Sequence, residues 1–431
     1  MPDTHIGLLG IGALLALILL RVPIGVSMIL VSAVGMSVIL DFSTMVGQLR
    51  SLPYEFSAAW ALSSVPTFLA MGYICYHARL TAGLFRLARL WLSSLPGGMA
   101  ISTVFASAGF ASMSGSSVAS AAAMGRIAVP EMVAIGYSPG LAGGTVAAAG
   151  TLGALIPPSI LLILYGIFVQ QPIGRLFLGG IGIGLLTVAA YVVVILLWAI
   201  VRPGDAPRCE SGNLREERRE ALKETLPAIL LVVLTFGGLF GGVFTATEAG
   251  AFGAFIAACI GFFRKTLDRA GILVALEEAV STTCVIFIIS IGAALTVRFL
   301  ALSGADQLIS DWILSTDLTV AQFLAIVIVI YLLLGMFLEP VGCMLLTLPI
   351  IFPMIIALGI NPIWFGVVLV KLLEVGMLTP PVGMNVFVIK SVMGDVCTLG
   401  QLFKAVTWFI LIDVVVILIA IWFPQVIMAF T

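Results

Sequence analysis

Two apolar segments of this chain carry a Pro-Pro pair where a membrane helix would otherwise continue, and that interruption limits what the chain can become. In AAAGTLGALIPPS (147–159) and VKLLEVGMLTPPVGM (370–384), paired prolines remove backbone donors and hold the preceding residue away from helical angles. Gly153 and Gly376 let the backbone open just upstream. An opened helix exposes carbonyls that hydrocarbon cannot satisfy, so such backbone persists in a bilayer only inside protein or beside a wet cavity. The interruption therefore marks a site.

The bilayer is the expected solvent. Of 431 residues, 61% are hydrophobic and only 10% charged, against roughly 45–50% and 25% in soluble domains. The length accommodates about ten spans of ~20 residues. No basic patch exists outside one short linker, which argues against a nucleic-acid partner. Cys75, Cys259, Cys284, Cys343 and Cys397 lie in or beside apolar segments and Cys209 in the charged linker, none with metal-ligand spacing. The run 6–20 follows an acidic start and lacks a small-residue cleavage site, so it reads as a retained span.

Sliding the chain by 223 positions superposes the two interruptions. Pro157 and Pro158 fall on Pro380 and Pro381, Gly153 on Gly376, and Pro130, Pro139 and Gly143 on Pro353, Pro362 and Gly366. Paired interrupted helices in two halves are the strongest sequence pointer to a transporter's binding site.

The first half, 1–200, reads as spans at 6–20, 24–40 and 58–78, an amphipathic surface helix within 78–96, a hairpin at 98–134, a broken helix at 138–168 and a span at 174–200. The hairpin is interrupted at 112–117, and each arm of about 15 residues reaches only ~23 Å. It is therefore expected to re-enter. The segment 201–225 reads as a solvated linker ending in a short surface helix. The second half, 226–431, repeats the plan with spans at 226–244, 247–263 and 279–299 and a connection at 300–318. A hairpin at 319–357, a broken helix at 362–392 and a span at 403–425 complete it.

Five crossings per half make the repeat inverted. The expected fold class is an all-α polytopic membrane protein of two inverted repeats, each holding a re-entrant hairpin and a broken helix. Thirteen basic residues fall on one face and two on the other, which places both termini outside.

Hairpins dipping from opposite faces bring their tips toward the midplane, where the broken helices open. Helix N-termini attract anionic groups, whereas unwound carbonyls suit a hard cation. Such a site takes up an anion together with cations.

The patterns SGSSVASAAAMG, GYSPGLAGGTVAAAGTLGALIPPSI and GMLTPPVGMNVFVIK resemble those of the large membrane subunit of tripartite ATP-independent periplasmic (TRAP) transporters, over essentially the whole chain. The resemblance implies a sodium-driven, elevator-type importer with scaffold and transport domains in the bacterial inner membrane. A periplasmic substrate-binding protein would deliver an organic acid, such as a C4-dicarboxylate or sialic acid. A separate small four-helix subunit would pair with this one. Carried across, one sodium site would use Ser114 and Ser117 with Gly153, Ile156 and Pro158. The other would use Gly335 and Glu339 with Gly376, Thr379 and Pro381. Substrate contacts would fall at Ser116, Ser117, Thr151, Pro157, Pro340 and Pro380.

Other ionisable residues have blander expectations. Glu339 holds a cation or caps a helix start. Lys371 and Glu374, three apart on one helix, read as a structural pair. Arg126 snorkels to the cytoplasm, Arg298 has Asp306 and Asp311 as candidate partners, and His77 faces water. Three other functions compete: a stand-alone sodium/dicarboxylate carrier, an intramembrane hydrolase with a tip serine as nucleophile, and an inert assembly scaffold. The second has little to work with, since His5 and His77 are the only histidines.

Overall fold

A computed structural model describes residues 3–208, 214–315 and 319–431; Cys209, the middle of the linker and the end of the connection before the second hairpin lie outside the described residues. The described chain is helical without a strand. Among the described residues, six helices are long and apolar enough to cross a membrane: Ile173–Val201, Glu216–Phe240, Ala246–Phe263, Arg269–Ser303, Pro340–Ala357 and Leu399–Trp422. Phe42–Ser57 and Trp60–His77, bent by 54° to each other, have the joint length and apolarity of a broken span or a re-entrant loop. Asp3–Leu19 and Ile24–Ile39 are apolar but slightly shorter.

Both hairpins form as helix–turn–helix units, Gly98–Ser114 with Ser117–Ala134 and Val320–Gly335 with Pro340–Ala357. The first turns at Gly115, whose φ of 65° lies in the left-handed region that favours glycine. Ser116 then caps the returning arm, its side chain accepting from Ala119 N. The second hairpin's returning arm, with 18 residues, is long enough to span by itself. Length alone therefore does not separate re-entrant from crossing there.

The broken helices run Pro139–Gly150 then Ile160–Phe168, and Pro362–Gly376 then Met384–Met393. Pro139 and Pro362 occupy the first turn, where a missing N–H costs no helical bond. Asn361 adds a cap, accepting from Ile363 N and Trp364 N at 2.9 and 3.2 Å. From 363 to 376 every residue is buried, which a helix apolar nearly all round requires.

The halves embrace by exchanging equivalent contacts. Ile24–Ile39 packs along Arg269–Ser303, and its counterpart Ala246–Phe263 packs along Ser64–His77. Leu399–Trp422 lies on Pro139–Gly150, while Ile173–Val201 lies on Pro362–Gly376. That crossed pattern is what an inverted repeat predicts.

Three local expectations need correction. Phe42–Ser57 is a helix that the apolar pattern does not announce; Asp41 starts it by accepting from Thr44 N at 3.0 Å. The surface helix Leu80–Leu92 turns Leu80, Phe85 and Leu90 toward protein, packing against Gly98–Ser114 and the helix after the linker. That latter helix, Leu214–Phe240, is continuous rather than short, and its Glu220 and Glu224 bind Arg86 at 3.5 and 3.2 Å. Opposite charges draw the linker's end onto the body.

Candidate functional site

In both halves, the glycine before the bend touches the tip of its own hairpin. A Cβ built on Gly153 would lie 2.5 Å from Ser116 O, and one on Gly376 would lie 2.7 Å from Gly335 Cα. Backbone meets backbone there, so no larger residue fits without displacing the tip. The contact continues downstream in the first half, where Ile160 N donates to Gly115 O at 3.4 Å. The bends share their geometry, with cis bonds at Pro157-Pro158 and Pro380-Pro381. They differ in setting, because Pro157 and Pro158 are buried whereas Pro380 and Pro381 are exposed.

Beside these contacts lies a cavity of about 540 Å³, walled by both hairpin tips and by segments of Ser64–His77 and Arg269–Ser303. Ser114, Ser116, Ser117, Glu339 and Pro340 line it. Gly153, Ile156, Pro158, Gly335, Gly376, Thr379 and Pro381 stand outside its wall, with Gly153 and Gly376 directly behind the tips. Thr379 gives its hydroxyl to Val375 O at 2.7 Å, leaving its oxygen able to accept. Glu339 sits at the start of Pro340–Ala357 without capping it and faces the cavity instead.

Of the expected substrate contacts, Thr151, Pro157 and Pro380 do not line the cavity. Thr151 faces away, bonding Ala148 O at 2.6 Å and the Tyr191 hydroxyl at 3.1 Å. Tyr191 donates onward to Asp413 at 2.8 Å, and Asp413 holds Lys371 at 2.6 Å. The expected Lys371–Glu374 pair is therefore not formed; Lys371 turns to the last span. Glu374 instead accepts from Ser117 Oγ at 3.1 Å and lines the cavity.

Arg126 is exposed and donates to the Tyr76 hydroxyl at 3.3 Å. Arg298 is exposed and forms no ion pair with Asp306 or Asp311 among the described residues. His77 is not simply hydrated, since it binds Glu278 at 2.9 Å. No histidine lines the cavity with the tip serines, so a Ser–His nucleophile is not assembled among the described residues.

Sequence reasoning missed Asp413, Tyr191 and Glu278. Asp413 had a signal: an acid in the middle of a 24-residue apolar helix needs a partner, and Lys371 was the matching lone base.

Comparison with known proteins follows the same lines. The family model for "Tripartite ATP-independent periplasmic transporter, DctM component" matches residues 11–426. The chain is 34% identical over 378 residues to the C4-dicarboxylate TRAP transporter large permease protein DctM of Pseudomonas aeruginosa, covering 87% of each. It is 31% identical to the sialic acid TRAP transporter large permease protein SiaM of Vibrio cholerae, covering 95% of each. The crystal structure of the Alcanivorax borkumensis YdaH transporter shares the fold, with a TM-score of 0.63 at 14% identity over 89% of this chain and 90% of that one.

Proposed function

The chain belongs to the DctM-component family of tripartite ATP-independent periplasmic transporters, and on that premise we propose that it drives sodium-coupled import of an organic acid across the bacterial inner membrane. A periplasmic binding protein delivers the acid, and a small four-helix subunit completes the membrane pair. Both termini face the periplasm. C4-dicarboxylates and sialic acids, the cargoes named for its relatives, are the first candidates.

The observation that carries the reading is the paired approach of Gly153 and Gly376 to the hairpin tips beside one shared cavity. The first contact sets a helix start at Ser117 beside Gly153, the second brings two helix ends together at Gly335 and Gly376, and carbonyl oxygens at such breaks suit sodium. Sodium would be held on one side by Ser114, Ser117, Gly153, Ile156 and Pro158, and on the other by Gly335, Glu339, Gly376, Thr379 and Pro381. Ser116, Ser117 and Pro340 are the substrate contacts retained.

An elevator motion gains support from Gly72. A Cβ there would meet Ser114 Cα and O at 3.0 Å, so the third span is cut back to backbone where the first hairpin passes it. Small residues let membrane helices approach this closely, and a contact without interlocking side chains is one that an elevator motion could shear.

Uptake of labelled acid into proteoliposomes tests the proposal. Uptake should require an inward sodium gradient, the small subunit and the binding protein together. Robust uptake by this chain alone would assign it instead to the stand-alone carriers, and uptake indifferent to sodium would remove the coupling.

A further inference from the structure

A hydrogen bond between side chains joins the first hairpin to the second broken helix. Ser117 opens the returning arm Ser117–Ala134, and its hydroxyl donates at 3.1 Å to Oε1 of Glu374, near the end of Pro362–Gly376. Met377 Sδ, at 3.5 Å, competes for the same hydrogen. A carboxylate oxygen is the much stronger acceptor and here also the closer one, so it takes the hydrogen. That choice fixes which way the hydroxyl faces: with its one hydrogen committed to Glu374, its lone pairs are left for a cation.

Charge adds to orientation. Among the described residues three charged side chains are fully buried, Lys371, Asp413 and Glu374. Lys371 is paired with Asp413, which leaves Glu374 without a counter-ion and with Oε2 lacking a hydrogen-bond partner among the described residues. Burying an uncompensated carboxylate is costly, and a cation bound nearby offsets that cost. A sodium ion on the Ser117 oxygen would stand one coordination bond and one hydrogen bond away, without touching the carboxylate. The second tip has no such arrangement. In the repeat register Ser117 corresponds to Pro340, which has no hydroxyl, and Glu374 to Thr151, which bonds Tyr191 instead.

We propose that Glu374 is a positioning residue for the first sodium site, turning the Ser117 oxygen toward the ion and supplying the negative charge that the ion neutralises. The inference rests on the sodium-coupled reading above and deepens it: a carboxylate from the second half sets the affinity of a site built in the first.

The test titrates the full chain in lipid nanodiscs with sodium at constant ionic strength, potassium making up the difference, and follows thermal unfolding. The wild type should be stabilised by sodium and not by potassium. Glu374→Gln should move one component of that response to sodium concentrations at least about tenfold higher. Its unfolding temperature in potassium should equal or exceed that of the wild type, because a buried charge has been removed. Ser117→Ala should shift the same component, and the double variant should shift it less than about threefold further than the poorer single, since the two residues act as a unit. Glu374→Asp keeps the charge but draws it back from Ser117; a several-fold shift is expected there, so the outcome does not hang on one variant folding. An unshifted response in Glu374→Gln or Glu374→Asp overturns the proposal, as does a double variant whose shift is the full product of the singles. A lower unfolding temperature of Glu374→Gln in potassium with its sodium response intact also overturns it, and gives Glu374 a packing role. A wild type stabilised alike by sodium and potassium removes the sodium reading itself, whereas a sodium-specific wild type with an indifferent Glu374→Gln removes this inference alone.

Discussion

Lys371 Nζ lies 2.6 Å from Asp413 Oδ1 with both side chains completely buried, tying the second broken helix to the last span. The same Lys371 sits 5.5 Å from the Tyr191 ring centroid, and Tyr191 bonds both Asp413 and Thr151. One polar chain thus joins the two broken helices. In the repeat register, Lys371 and Asp413 correspond to Ala148 and Ala190, so the other half has no such pair.

Removing one partner of this pair strands a buried charge. Lys371→Met alone is expected to destabilise the protein by about 3–5 kcal/mol, and the double variant Lys371→Met/Asp413→Leu to recover most of that loss. Thermal unfolding of the purified chain in detergent checks both. A double variant as unstable as the single would show that the network beyond the pair, through Tyr191, carries the energy.

Gly153 and Gly376 have no room for a side chain against the hairpin tips. Gly153→Leu and Gly376→Leu should each lower sodium-dependent uptake by more than tenfold while the chain still assembles with its small partner. Uptake left intact with assembly lost would favour an inert scaffold.

Gly72→Val places two methyl groups against the Ser114 backbone, where even a Cβ is tight. Loss of uptake with normal accumulation in the membrane is expected. Unchanged uptake would mean that the third span and the hairpin tip do not move past each other.

Asp41 offers a test away from the membrane core. Its carboxylate accepts from Thr44 N at 3.0 Å and from the hydroxyls of Ser43 and Thr44, and these donors hold it well below the usual carboxylate range. A depressed carboxyl stabilises the fold above its unfolded pKa, and the contribution is lost as pH falls through the folded value. Amide exchange in the first turn of Phe42–Ser57, taken relative to its intrinsic pH-dependent rate, should therefore be unchanged from pH 7 to mildly acidic pH. Asp41→Ala should raise it at pH 7, and equal exchange in both proteins would show that the cap is not formed in solution.

The repeat, the two interruptions and both hairpin turns were legible in the chain because proline and glycine act on the backbone of their immediate neighbours. Pro157, Pro158, Gly115 and Gly153 need no distant partner to declare a break. The register of 223 then announces the second copy without any contact being known.

Tertiary packing decided the rest. Lys371 was within reach of Glu374 by spacing, yet helix rotation turned it to Asp413, 42 residues on, and left Glu374 facing the cavity. Identical Pro-Pro motifs came to rest in different surroundings, one buried and one exposed, because the helices packed around them differ between the halves. Local sequence determined where the backbone must break; which side chain meets which, and what each break faces, followed only from how the helices rotate and pack, since those contacts join residues that are far apart in the chain.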